Sequence, residues 1–371
     1  MKDQLAEKLL AQVMGWKSPQ EFLDHGLVLQ DLAAYKYDEY QQFSPGMRFI
    51  ESLARWLGQF EKIEERKTAL QFVKERLIFV SAAEMNHLVS VAYPDHIRPH
   101  LLSKVAAETG LSRWHMGRAA SAPEFRIRER RTLFLGLSDG SRTDVFRRAN
   151  RNLSHEQVRQ SHEMSQERVE DLLNRLTEDL AKLPGEKADS AQRTFQTVVL
   201  LDDFSGSGLS YIRRKGDGIV GGKVGKFLAW IKEGKSPITT LFQKDGLEVV
   251  LVLYMATELA EQTLNASLSG LAGDCGATSK VIVVQKLPES TRTIRGQYPE
   301  LDAIIDRYYD PDNETKSTKL GGTDLKYGFA GGGLSLILSH NTPNNSVGLL
   351  WADGSRMRSL FPRVTRHKDT V

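Results

Sequence analysis

One stretch near the middle of the chain restricts the possible folds more than any other. Thr197, Val198, Val199, Leu200 and Leu201 form a short apolar run that stops at two adjacent carboxylates, Asp202 and Asp203. The chain then passes through Phe204 into Ser205, Gly206, Ser207, Gly208, Leu209 and Ser210. An apolar run of this length, bounded by Gly and Ser, reads as a buried strand. A buried strand that empties into a small-residue loop suits an open α/β sheet, where ligands bind at the carboxyl ends of the strands. A helix beginning at Tyr211 is expected to aim free backbone N–H groups at an anion in that loop. Gly206 and Gly208 let the backbone approach a phosphate, and Ser205, Ser207 and Ser210 add hydroxyl donors. Asp202 and Asp203 are expected to accept hydrogen bonds from a pair of vicinal hydroxyls. Phosphate on one side and a diol on the other describe a ribose 5-phosphate. An ordinary strand–turn–helix with acidic turn residues has the same pattern, so both readings stand at this point.

Two other glycine patterns do not qualify as nucleotide loops. Gly206-x-Gly208-x-x-Tyr211 lacks the third glycine of a dinucleotide fingerprint, and the run from Gly216 to Lys226 contains no GxxxxGK[ST].

The surroundings of the motif predict alternating strands and helices. Upstream, Thr132 to Leu137 reads as a strand that runs into Ser138, Asp139, Gly140, Ser141 and Arg142. There Gly140 permits a tight turn, and Arg142 offers a forked donor for phosphate oxygens; a plain surface turn is the alternative. Leu153 to Leu183 is expected to be a helix with Val169, Leu172, Leu176 and Leu180 on one face, ended by Pro184 and Gly185. Downstream, Val224 to Glu233 reads as a helix. Leu247 to Met255, apolar but for Glu248, reads as a strand buried on both faces. Thr257 to Leu268 suits a helix and Val281 to Val284 a further strand. Together they predict a doubly wound α/β domain.

The ends of the chain differ in character. Residues 1–130 read as a mainly helical region, with Phe49, Leu53, Trp56, Leu57 and Phe60 at helical spacing, and the α/β domain is expected over 131–371. Arg113, Arg118, Arg126, Arg128, Arg130 and Arg131 form a basic cluster interleaved with Trp114 and Phe125. Such a cluster serves either a nucleic-acid strand or a solvated face. The net charge of only +3 favours the solvated face. Near the end, Leu334 to Leu338 is expected to be a strand beside the sheet that empties into a loop from His340 to Ser346, with Val347 to Trp351 as a last strand. Asn344 and Asn345 can donate and accept, which suits a base edge, and His340 is a candidate proton carrier; a buried turn is the alternative. The single cysteine, Cys275, excludes an internal disulfide and a cysteine-only metal site. No signal peptide and no apolar run of spanning length is read, so a cytoplasmic location without a membrane partner is expected.

The motif around Asp202 and Asp203 resembles the signature of type I phosphoribosyltransferases, with Val198 to Leu201 as the apolar run and Ser207, Gly208 and Ser210 in the phosphate loop. Taken with His340, Asn341, Thr342, Pro343, Asn344, Asn345 and Trp351, it resembles the phosphoribosyltransferase-like domain family of bacterial conflict systems, from the N-terminal helices to Trp351. The resemblance implies a phosphoribosyltransferase-like parallel sheet flanked by helices, with a C-terminal hood-like segment. It also implies an effector of a defence system, retron-type systems among them, with protein or nucleic-acid partners. The ligand would be phosphoribosyl pyrophosphate or a related nucleotide, with Mg held mainly through ligand oxygens rather than by direct protein ligands. Catalytic roles would fall to Asp202, Asp203 and His340. The substrate contacts implied are Ser205 to Ser210, Asp139, Gly140, Ser141, Arg142, Asn344 and Asn345. A closing loop would fall at Glu186 to Gln196, with Lys187 and Arg193. A nucleotide-sensing or toxin-scaffold protein without turnover, and a nucleic-acid binder using the arginine cluster, are the alternatives.

Overall fold

The apolar runs become parallel strands. The computed structural model describes residues 3–112, 114–183, 193–214, 220–243, 245–315 and 318–364. The strands are β1 (Ile78–Val80), β2 (Thr132–Gly136), β3 (Val158–Arg159), β4 (Thr197–Ser205), β5 (Arg213–Arg214), β6 (Val220–Gly221), β7 (Glu248–Thr257), β8 (Thr278–Leu287) and β9 (Leu336–Leu338). Five of them form one sheet in the order β3-β2-β4-β7-β8, and every neighbouring pair is parallel. The expected helix-flanked α/β sheet is therefore present.

Burial explains why this sheet holds. Parallel strands joined by helical crossovers are covered on both faces and so need apolar side chains on both. All ten residues of β7 are buried. On one face Leu133, Leu135, Val198, Leu200, Leu251 and Leu253 share a core with residues of the helices Gln166–Leu180, Lys223–Glu233 and Glu258–Gly273. On the other face Phe134 meets Tyr93 and Phe146, with ring centroids 6.0 and 5.2 Å apart. Each fully buried aliphatic or aromatic side chain contributes roughly 1.5–3 kcal/mol.

The chain separates into two compact units, Asn86–Pro288 and Met1–Met85 with Glu289–Val371. This division does not coincide with a break after residue 130. The first unit carries the five-stranded sheet. The second holds the helices Asp3–Met14, Pro19–Tyr35, Phe49–Leu57, Ile63–Arg76 and Pro299–Tyr308. Its core centres on Phe361, whose ring lies 5.1 Å from Tyr40, 5.7 Å from Phe49 and 6.0 Å from Phe79. Among the described residues no helix is long and apolar enough to cross a membrane.

Four local expectations are corrected. No helix starts at Tyr211; the chain turns there, forms the β5–β6 pair, and enters a helix only at Lys223. The carbonyls of Ser210 and Tyr211 accept from the N–H groups of Lys223, Val224 and Gly225, so the turn caps that helix from outside. The helix expected from Leu153 begins instead at Gln166, behind the N-cap Ser165. The Gln157 side chain donates to the carbonyls of Glu129 and Thr132, and this fixes the preceding segment as a short turn and strand. The strand near Leu334 to Leu338 is β9, and it pairs with β1 rather than with the five-stranded sheet. Val347 to Trp351 is largely a helical turn, Gly348–Trp351. Pro184, Gly185 and Lys187 lie outside the described residues, as does most of the expected closing loop.

Candidate functional site

Sheet topology places a switch point in the 86–288 unit. From β2 the chain moves outward to β3, then returns to build β4, β7 and β8 on the other side of β2. The winding therefore reverses between β2 and β4. At such a switch point the loops leaving the two strands diverge and open a crevice beyond their carboxyl ends. Those loops are Leu137 to Arg142 and Gly206 to Tyr211, the two that the sequence singles out.

Strand alternation separates the two acids. Successive side chains of a strand point to opposite faces. Because β4 continues to Ser205, Asp202 and Asp203 lie within it. Asp202 follows Val198 and Leu200 onto the face covered by Lys223–Glu233, and it is completely buried. There Lys223 Nζ donates to its Oδ2 at 2.6 Å, and the Ser138 hydroxyl donates to its Oδ1. Burial, and then the neighbouring Asp203, push the Asp202 carboxyl above the usual range, against the pull of Lys223 and Ser138. Asp203 points to the other face and is part-exposed. Its Oδ1 accepts from the Phe204 N–H at 2.8 Å. A Cβ on Gly140 would fall 2.4 Å from Asp203 Oδ2, so a side chain there would displace this carboxylate.

The turn after β4 is shaped as an anion cradle. Gly208 has φ +78°, a left-handed conformation, and its N–H donates to Ser205 Oγ at 3.1 Å. Thr257 Oγ1 donates to the carbonyl of Gly206 at 2.9 Å and accepts from the N–H of Ala260, which locks the turn to the helix Glu258–Gly273. Among the described residues, the N–H groups of Ser207, Leu209 and Ser210 have no acceptor within the protein. Successive unpartnered N–H groups in a turn form an anion-binding concavity. The Tyr211 hydroxyl donates to the carbonyl of Phe204 at 2.8 Å, and Lys223 Nζ lies 5.3 Å from its ring centroid.

The loop after β2 is a single tight turn, Asp139–Ser141, with Asp139 exposed. Its Ser141 and Arg142 N–H groups are used internally, by the carbonyls of Ser138 and Asp139. Buried Tyr254 donates to the carbonyl of Ser141 at 2.6 Å, and burial keeps that phenol far from ionising. Arg142 has φ +46°, uncommon for a residue with a side chain and a local cost held by the surrounding turn. One guanidinium nitrogen, Nη1, donates to Asn86 Oδ1 at 3.0 Å.

His340, Asn344 and Asn345 belong to the other unit. The Asn345 side chain is buried and donates to the carbonyl of Phe329 at 3.0 Å. The carbonyl of His340 accepts from Gln42 at 2.8 Å. The strand that leads into this loop, β9, is not part of the five-stranded sheet that carries Asp203. Lys223, Thr257 and Tyr254 escaped sequence reasoning, because each meets the motif only through folding, and Ser138 was named only as part of its loop. Lys223 carried a signal as a cation at the start of a readable helix.

Among the described residues no group of three or more His, Cys, Asp or Glu side chains is arranged to hold a metal ion. Near the crevice, the Asp202 carboxylate is already engaged and Asp203 is the part-exposed acid. That donor set fits Mg carried on phosphate oxygens and water better than a cage of protein ligands.

A protein-family model, PRTase-CE, matches residues 53–363. The chain belongs to the PRTase-CE family. The match covers most of the chain, including all five strands of the parallel sheet, and PRTase-CE is a phosphoribosyltransferase-like domain family. Neither the curated proteins nor the solved structures contain a significant match. In this PRTase-CE chain the phosphoribosyltransferase-like motif stands at the switch point between β2 and β4.

Proposed function

We propose that the crevice between β2 and β4 binds the ribose 5-phosphate part of phosphoribosyl pyrophosphate or a related nucleotide, and that the chemistry occurs at the anomeric carbon. The observation that carries this reading is the turn after β4, with three unpartnered N–H groups beside a part-exposed carboxylate. The N–H groups of Ser207, Leu209 and Ser210 hold the 5-phosphate, helped by the Ser205, Ser207 and Ser210 hydroxyls. Asp203 accepts hydrogen bonds from the ribose hydroxyls, and Asp202 sets its position from below. Arg142 meets the pyrophosphate through the nitrogens that Asn86 does not use. Mg, when bound on the pyrophosphate oxygens, would neutralise their charge as the bond breaks. Loss of the leaving group builds positive charge on the sugar, which a fixed carboxylate stabilises without a side-chain nucleophile. We place the protein as an effector in a bacterial defence system, on its family membership.

Two assays test this reading. Calorimetric titration with ribose 5-phosphate should show binding that Asp203→Asn weakens about tenfold to a hundredfold, the worth of charge-assisted hydrogen bonds. Release of pyrophosphate from phosphoribosyl pyrophosphate with pooled nucleobases then separates an enzyme from a sensor that binds without turnover. Absence of any binding rejects both.

A further inference from the structure

The 86–288 unit carries a second feature at the opposite end of its sheet. Thr132 is the first residue of β2, and the Gln157 side chain links its carbonyl to that of Glu129, at 2.8 and 2.6 Å. Glu129 therefore stands at the amino edge of the strands, away from the crevice at their carboxyl ends. A cleft of about 560 Å³ opens there, lined by Tyr93, Arg98, Phe125, Arg126, Glu129 and Asn152 among others. Tyr93 sits on a π-helical turn, Ala92–Ile97, an irregularity that recurs at functional sites.

The cleft carries two arginines and one acid. Its acid is already used: Glu129 accepts from the Tyr93 hydroxyl and from Asn152 Nδ2 at 3.3 Å. Several arginines elsewhere in the unit pair with carboxylates, as in Arg128 with Glu108, Arg130 with Asp179 and Arg175 with Asp171, while Arg142 bonds Asn86 instead. Among the described residues, neither Arg98 nor Arg126 has an ion-pair or hydrogen-bond partner for its side chain. Arg98 lies over the buried Phe125 ring, its guanidinium carbon 5.2 Å from the centroid, and Arg126 is exposed on the same lining. The ring fixes one guanidinium plane without satisfying its N–H groups. Two forked donors without an internal acceptor, both lining one concave surface, suit a phosphate.

We propose that this amino-edge cleft is a second anion site that binds a phosphate group through Arg98 and Arg126. It is separate from the switch-point crevice and does not depend on the function assigned there. The phosphate belongs either to a free nucleotide or to the backbone of a nucleic-acid strand, and the test distinguishes the two. The intact protein is titrated with AMP and, by fluorescence anisotropy, with a labelled single-stranded oligothymidylate. Arg126→Gln, at an exposed position, should weaken binding about tenfold, and Arg98→Gln with Arg126→Gln about a hundredfold. If the strand is the ligand, the double variant also flattens the dependence of log affinity on log salt by about one. If the nucleotide is the ligand, AMP binding falls while oligothymidylate is indifferent to both changes. In either case Asp203→Asn leaves the arginine-dependent binding intact. Overturning results are that wild type binds neither probe, or that both arginine variants bind both probes as wild type does. Circular dichroism of Arg126→Gln guards against a folding artefact.

Discussion

At the scale of single residues, adjacency in sequence does not mean shared work. Asp202 and Asp203 are neighbours in a strand, so one enters the core and the other faces the crevice. The fully buried Asp202 depends on Lys223, whose side chain is 36% exposed. Removing one partner of such a pair leaves an uncompensated buried charge. Lys223→Met should therefore destabilise the protein by about 1–3 kcal/mol at neutral pH, with the lower end set by solvent screening of the lysine. The sign with pH follows from the raised Asp202 carboxyl. As pH falls, Asp202 takes up its proton sooner than an ordinary carboxylate, so the loss should shrink in acid. Urea unfolding of wild type, Lys223→Met and Lys223→Met with Asp202→Asn reads this directly, since the neutral amide should restore part of the stability. Asp203→Asn, by contrast, should change stability by no more than about 0.5 kcal/mol while ligand binding falls. Gly208 belongs to this scale too. Its φ of +78° and a Cβ path 3.1 Å from Leu264 make Gly208→Ala cost about 1–2 kcal/mol, which thermal denaturation would show as a lowered Tm.

At the scale of elements, the central strands and the helices after them were legible, and the turns and strand partners were not. Val198 to Leu201 and Val249 to Met255 declare themselves by unbroken apolarity, because a strand covered on both faces admits nothing else. The helix expected from Val224 is present from Lys223, but none starts at Tyr211, since the carbonyls of Ser210 and Tyr211 belong to a turn that caps the Lys223 helix and that only the fold defines. In the same way β9 has an ordinary strand sequence, and nothing in it says that β1 is its partner. Glu248 shows how one polar residue in an apolar run is explained by another element. It opens β7 and accepts from His100 at 3.0 Å and Lys104 at 2.9 Å, both on the helix Arg98–Glu108. Burial pushes its carboxyl up, but these partners outweigh burial and hold it at about 2. A carboxylate with a depressed folded value stabilises the protein above its unfolded value, near 4.5, and the contribution is lost as pH falls through about 2. The full contribution is roughly 3 kcal/mol. Glu248→Gln should accordingly flatten the fall in unfolding free energy between those two pH values, measured by urea titration at a series of acid pH.

At the scale of the molecule, the sheet order places the motif at the reversal between β2 and β4, and this is what makes a short pattern a candidate site. The sequence could not supply that order, since it depends on which strands become neighbours. The division into 86–288 and 1–85 with 289–371 was equally hidden, because residues at the two ends of the chain build one unit. Trp56 Nε1 donating to the carbonyl of Leu349 at 2.9 Å is one such long-range tie. The most direct measurement is a crystal structure of the protein with phosphoribosyl pyrophosphate and Mg. It should show the 5-phosphate on the N–H groups of Ser207, Leu209 and Ser210, with the ribose hydroxyls on Asp203 and Lys223 still paired to Asp202. A ribose phosphate bound away from the β2–β4 crevice, or a crevice that stays empty at saturating ligand, would contradict the assignment.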